Sequence, residues 1–142
     1  MRDVFITHRW HGTAEFDRVL THLDQAWGLN WRNFGTPWHD PVLRSNSPDG
    51  MATLLGMIDL QITPAQVVIL VPAIYTATNI GRACAERAVN QARHRDIPVI
   101  GILADGESLP PPGIDTLADR WVALAGLADT LDNDIFPSRS SG

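Results

Sequence analysis

The stretch from residue 66 to residue 103 constrains the fold more than any other part of the chain. It contains two apolar runs rich in β-branched residues, Gln66–Val71 and Ile97–Leu103. Between them lies Ile80–Arg95, whose composition favours a helix. Continuous apolar runs are typical of parallel strands that are buried on both faces. We therefore predict a βαβ unit with a right-handed crossover, and a ligand site at the carboxyl ends of its strands.

The rest of the chain repeats this alternation of strand and helix. Further strands are predicted at Asp3–Thr7, Leu29–Phe34 and Arg120–Leu124, and further helices between Gly12 and Gly28, at Met51–Ile62 and at Leu127–Ile135. This order predicts an α/β fold of the flavodoxin-like or Rossmann-like kind, a three-layer sandwich with a mainly parallel five-stranded sheet ordered 2-1-3-4-5. We expect residues 1–136 to form a single domain and residues 137–142 a flexible tail.

The composition argues against several classes of partner. The 142 residues carry a net charge of −5, and all eleven basic residues are Arg. An acidic chain without a basic run is a poor candidate for binding nucleic acid, so we expect no such partner. Cys84 is the single cysteine, which predicts neither a disulfide nor a cysteine-based zinc site and fits a reducing cytoplasm. No apolar run approaches the length that a membrane span requires.

Three common chemistries of this fold class lack their residues here. A response regulator needs a phospho-acceptor Asp after the third strand and a late Lys, but that strand ends in Val71-Pro72 and Lys is absent. A flavodoxin needs a phosphate loop rich in Ser, Thr and Gly after the first strand, where this chain has His8-Arg9-Trp10-His11. Neither glycine-rich phosphate motif, GxGxxG or GxxxxGK[ST], occurs.

Polar and aromatic residues follow the first three predicted strands. The candidates for binding a ligand are His8, Trp10, Asn33, Asp40 and Tyr75, and the candidate carboxylate is Glu86 on the following helix. One carboxylate among aromatic rings could hold the sugar of a nucleotide while a base stacks on Trp or Tyr. The His residues show no metal-binding spacing, so we predict no metal site.

Several segments together resemble a known family. They are VFITHRWHGTAEFDRVLTHLDQA, WRNFGTPWHDPV, QITPAQVVILVPAIY, IPVIGI and ADRWVALAGLADTLDN. In this order they resemble the TIR-like family typified by the Thoeris anti-phage defence proteins, over roughly residues 3–135. No single motif is decisive, but the ordered set is moderately specific.

The resemblance implies a TIR-type fold and an enzyme that cleaves the nicotinamide–ribose bond of NAD. NAD is then the substrate, and no separate cofactor is needed. The ADP-ribose part is hydrolysed or cyclised to a nucleotide signal that activates a partner effector in anti-phage defence. The family's catalytic Glu lies at the start of the helix after the third strand, which points to Glu86. TIR-type enzymes often act as assemblies, so we expect a homo-oligomer or TIR assembly, with the predicted loop Gly35–Gly50 as its contact surface.

The chain departs from the family pattern around Glu86. The family has a Trp four residues before its catalytic Glu, where this chain has Arg82. Counting back from Pro98, the family's Glu position falls nearer Ala88. Two alternatives to an enzyme therefore stay open, a non-catalytic TIR-like interaction module and a nucleotide-binding sensor.

Overall fold

A computed structural model of the chain describes residues 2–7, 14–34, 48–71, 79–103, 106–110 and 114–136. Within these ranges, five parallel strands form one sheet in the order β2-β1-β3-β4-β5. The strands are β1 (Arg2–Ile6), β2 (Trp31–Asn33), β3 (Val67–Leu70), β4 (Val99–Ile102) and β5 (Arg120–Val122). The predicted α/β fold with strand order 2-1-3-4-5 is confirmed.

Four α-helices accompany the sheet in the described residues. They are α1 (Ala14–Trp27), α2 (Pro48–Ile62), α3 (Asn79–His94) and α4 (Leu127–Thr130), and α4 continues into a π-helical turn at Leu131–Ile135. The prediction that the loop Gly35–Gly50 extends to Gly50 was wrong, because α2 already begins at Pro48. Proline suits the first position of a helix, where its missing N–H has no intrahelical partner in any case. Residues 35–47 and the predicted tail 137–142 lie outside the described residues.

The helices cover the sheet in two layers. Alternate residues of β3 face opposite ways, and all four are fully buried. Val67 and Ile69 belong to one core cluster, with side chains of α1 and α4 such as Leu23 and Leu127. Val68 and Leu70 belong to the other cluster, whose helical members come from α2 and α3 and are Ile58, Ile62, Ala85, Ala88, Val89 and Ala92. The structure is therefore a flavodoxin-like three-layer sandwich.

Asp132 connects the C-terminal turn to the amino edge of the sheet, which is the edge at which the strands begin. Its Oδ1 accepts hydrogen bonds from Arg2 Nε at 3.2 Å and from Trp27 Nε1 at 3.1 Å. The Arg2 guanidinium also lies 4.9 Å from the centroid of the Trp27 ring, within the range of a cation–π interaction. One carboxylate thus joins β1, α1 and the π-helical turn.

His22 holds α4 from the side of α1. Its Nε2 accepts a hydrogen bond from the Ala128 N–H at 3.2 Å, so the imidazole must be neutral at that nitrogen. Burial lowers the pKa of His22, and the nearby Asp129 carboxylate partly offsets this effect. Asp17 and Arg18 of α1 lie along the same side of the helix.

None of the helices described here has the length and apolar character that crossing a membrane would require.

Gly101 is predicted to be intolerant of any side chain, because the indole ring of Trp121 in β5 lies over it. A Cβ at this position would lie 2.5 Å from Cε3 of Trp121, the residue paired with it across the two strands. We expect Gly101→Ala to lower the free energy of unfolding by about 1–3 kcal/mol, the usual range for overpacking. Urea denaturation measures this loss. The matched control is Gly56→Ala in α2, where a Cβ meets nothing within 4 Å and where stability should rise by about 0.5–1 kcal/mol. Equal effects of the two substitutions would contradict this account.

The neutral His22 predicts a loss of stability in acid. Because its pKa is lower in the folded state, its contribution is complete above the unfolded pKa of about 6.5 and is lost as the pH falls below it. We expect the free energy of unfolding to fall more steeply between about pH 7.5 and about pH 5 in the wild type than in His22→Gln. The control is His94→Gln, which changes an exposed histidine at the end of α3. A pH profile left unchanged by His22→Gln would refute this role.

Candidate functional site

The strand order places a topological switch point between β1 and β3. From β1 the chain goes first to β2 on one side, and it then returns to β3 on the other side. Ligands of open parallel sheets bind in the crevice that such a reversal leaves at the carboxyl ends of the strands. In this chain the residues at that place are Thr7, which follows β1, and Val71, which follows β3.

Thr7 joins the ends of β1 and β3. Its side-chain Oγ1 accepts a hydrogen bond from the Val71 N–H at 2.8 Å, and its own N–H donates to the Ile69 carbonyl at 2.9 Å. The residue is 1% exposed and is the buried polar side chain of the described core. Since an apolar residue of similar shape would also fill this space, the hydroxyl points to a specific polar role.

Asn33 joins the ends of β2 and β1 on the other side of β1. Its Oδ1 accepts a hydrogen bond from the Ile6 N–H at 3.3 Å. The Phe34 N–H donates to the Val4 carbonyl at 2.8 Å, so the two strands are still paired one step earlier. The half-buried Asn33, a predicted substrate contact, is therefore placed at the carboxyl edge beside Thr7 and Ile6. Whether it also contacts substrate stays a prediction.

The other predicted contacts lie outside the described residues. They are His8, Trp10, Asp40 and Tyr75. His8 directly follows Thr7 in the chain. Their assignment to substrate binding stays a prediction.

Glu86 lies on the exposed face of α3. The helix begins at Asn79, so Glu86 is seven residues along it, or about 10 Å from the first residue. Its neighbours Ala85 and Ala88 are buried against the sheet and α2. Arg87 is held by Asp59 of α2, with Nε 2.8 Å from Oδ1, and this hydrogen bond raises the pKa of Arg87. The packing thus fixes which residues of α3 face inward, and the catalytic assignment of Glu86 stays a prediction.

A separate groove lies on the α1 side of the sheet. It has a volume of about 520 Å³, is open to solvent, and is lined by Asp17, Arg18, Thr21, His22, Gln25, Leu124 and Ala125. Neither Asn33 nor Glu86, the predicted site residues that the structure describes, lines it. Within the described ranges, no three His, Cys, Asp or Glu side chains are grouped closely enough to hold a metal ion.

Sequence reasoning missed the role of Thr7. The residue was assigned to the end of the first strand and not to the site. A signal was present, because a hydroxyl residue ends an otherwise apolar strand immediately before His8. Such a residue can offer its side-chain oxygen to a neighbouring main-chain amide where the regular pairing stops.

Comparison with known proteins assigns no family to this chain. No protein-family model matches it. A search of curated proteins finds no significant match either. The resemblance to TIR-like proteins therefore depends on the ordered segments of the sequence alone and stays a prediction.

The burial of Ala88 predicts that a carboxylate at this position of α3 would destabilise the fold. Ala88 is 1% exposed, so Ala88→Glu would place an unpaired carboxylate in the core. We expect this substitution to lower the free energy of unfolding by about 3 kcal/mol or more, from desolvation and overpacking together. The matched control is Asn90→Glu on the exposed side of the same helix, which should change stability by no more than about 0.5 kcal/mol. Thermal denaturation of both variants tests this. A stable Ala88→Glu variant would show that position 88 faces solvent or a cleft.

Proposed function

We propose that this protein is a TIR-like enzyme that binds NAD at the carboxyl edge of its sheet and cleaves the nicotinamide–ribose bond. The product would be a nucleotide signal that activates an effector in bacterial anti-phage defence, within the cytoplasm. The structural observation that carries the proposal is the switch point between β1 and β3, bordered by Thr7 and Val71, with Asn33 of β2 at the same edge of the sheet. The ordered sequence segments supply the choice of NAD among the nucleotides that such a crevice can take.

The proposed reaction breaks one bond and needs charge stabilisation more than acid–base chemistry. The bond between C1′ of the ribose and the nicotinamide nitrogen breaks, and its electron pair moves to the ring, so nicotinamide leaves as a neutral molecule. The ribose then carries an oxocarbenium-like positive charge, which a carboxylate stabilises. Water adds to C1′ with loss of a proton to give ADP-ribose, or an atom of the adenosine part adds to close a cyclic product.

Glu86 is the proposed source of this carboxylate. Its side chain is exposed on α3, and the resemblance points to this helix for the catalytic acid. Asn33 lies at the edge where the ribose would bind. His8, Trp10, Asp40 and Tyr75 complete the proposed set of substrate contacts.

Consumption of NAD by the purified protein at high concentration tests the proposal. We expect release of nicotinamide, with a nucleotide product whose mass distinguishes hydrolysis from cyclisation. Glu86→Gln should reduce the rate by about 100-fold or more, the usual cost of losing one group that stabilises transition-state charge. The matched control is Asp96→Asn, an exposed carboxylate just beyond the other end of α3, which should leave the rate unchanged. Equal rates in the wild type and Glu86→Gln would remove Glu86 from the mechanism.

A non-catalytic function is the second candidate, and a specific observation favours it. The first turn of α3 carries no acidic residue, Glu86 lies about two turns into the helix, and Ala88, the position counted back from Pro98, lies in the core. In this alternative the protein binds a nucleotide as a sensor, or it associates with itself or another TIR domain. Calorimetric titration with NAD and sedimentation at increasing protein concentration distinguish these cases. Binding without turnover identifies a sensor, and self-association without binding identifies an interaction module.

A further inference from the structure

The hydrogen-bond ladder ends in the same way on both sides of β1. In a regular parallel ladder, the amide of every second residue donates to a main-chain carbonyl of the neighbouring strand. At the end of β3, the Val71 amide donates to the side-chain Oγ1 of Thr7. At the end of β1, the Ile6 amide donates to the side-chain Oδ1 of Asn33. In both places a side-chain oxygen is the acceptor where continued pairing would use a main-chain carbonyl.

These two side-chain acceptors end the regular main-chain pairing at the carboxyl edge. The last regular bonds run from Thr7 N–H to the Ile69 carbonyl and from Phe34 N–H to the Val4 carbonyl. Beyond them the amides of Val71 and Ile6 keep an acceptor, so the regular pairing can end without leaving either amide unpaired. Because Ile6 donates one of these bonds and the adjacent Thr7 accepts the other, the regular pairing of β1 with both of its neighbours ends at one level. That level is the switch point.

The burial of Thr7 supports a specific role for its hydroxyl. The side chain is 1% exposed. It accepts a hydrogen bond from the amide of Val71, which belongs to an apolar cluster with Ile69 and Ile102. Among the residues that the structure describes, the Thr7 hydroxyl oxygen accepts its hydrogen bond from the Val71 amide. A residue with this burial does not touch a ligand directly, and its effect must pass through the main chain that it holds.

We infer that Thr7 and Asn33 are a pair of positioning residues that set the opening between β1 and its two neighbouring strands, and so shape the crevice for the nucleotide. This inference rests on the proposed function for the identity of the ligand. Its structural part concerns the amides of Val71 and Ile6 and stands without any ligand.

Hydrogen exchange of single amides, measured on the ligand-free protein, tests the structural part. Thr7→Val removes the acceptor while keeping the shape, and Thr7→Ser keeps the acceptor. We expect Thr7→Val to accelerate exchange at Val71 by about tenfold or more. The exchange rate of the Val68 amide in β3 should be unaffected, because this amide donates to the Pro98 carbonyl. Thr7→Ser should restore slow exchange at Val71. Equal acceleration at Val68 and Val71 would mean general destabilisation and would overturn the inference.

Asn33 offers a second pair of variants in case Thr7→Val does not fold. Asn33→Leu removes the acceptor of the Ile6 amide, and Asn33→Asp keeps an oxygen at the same position. We expect faster exchange at Ile6 only in Asn33→Leu. No change at Ile6 in Asn33→Leu would overturn the pairing of the two residues.

Kinetics with NAD test the functional part. We expect Thr7→Val to raise the KM for NAD by about tenfold while kcat changes much less, and Thr7→Ser to recover the wild-type KM. An unchanged KM in an active Thr7→Val protein would overturn the positioning role. A wild type that neither binds nor consumes NAD would instead refute the proposed function, and the exchange rates at Val71 and Ile6 would still decide the structural inference.

Discussion

The burial of β3 on both faces is the constraint on which the rest of the structure depends. All four of its residues are removed from solvent, so the sheet needs a layer of helices on each side. On one side α1 and α4 supply residues such as Leu23 and Leu127. On the other side α2 and α3 approach closely, because α3 presents mainly alanines to the core. Parallel strands joined in this way all end at one edge of the sheet. The helix layers pack on the two faces of the sheet, and ligands of such sheets bind at this edge.

The two edges of the sheet are built differently. At the amino edge, Asp132 joins Arg2 of β1 and Trp27 of α1 through side-chain hydrogen bonds. These contacts tie the C-terminal turn to the start of the chain's first strand. At the carboxyl edge, Thr7 and Asn33 end the pairing of β1 with its neighbours. Side-chain hydrogen bonds hold the amino edge together, and regular strand pairing ends at Thr7 and Asn33 at the carboxyl edge. This arrangement suits a protein that binds its ligand at the carboxyl edge.

The sequence predicted the elements of the fold well because their signals are strong. The apolar runs at β3 and β4 are continuous, and the alternation of strands and helices leaves few topologies for a parallel sheet. The inward face of α3 was also readable, since residues 85, 88, 89 and 92 are small or apolar at helical spacing. That spacing places Glu86 outward, a consequence that a count from the family motif alone does not reveal. A hydroxyl residue at the end of the first strand is a signal for Thr7, but the partners of the Thr7 and Asn33 hydrogen bonds were not predictable. They depend on the relative height of two strands, about which hydropathy says nothing.

Amide chemical shifts during a titration with NAD test the central claim most directly. The claim is that the carboxyl edge around the β1–β3 switch point is the ligand site. The account predicts shift changes at Thr7, Asn33 and Val71 that saturate together, and none at Arg2 or Gly28 at the amino edge. Changes confined to the amino edge, or no changes at saturating NAD, would contradict it.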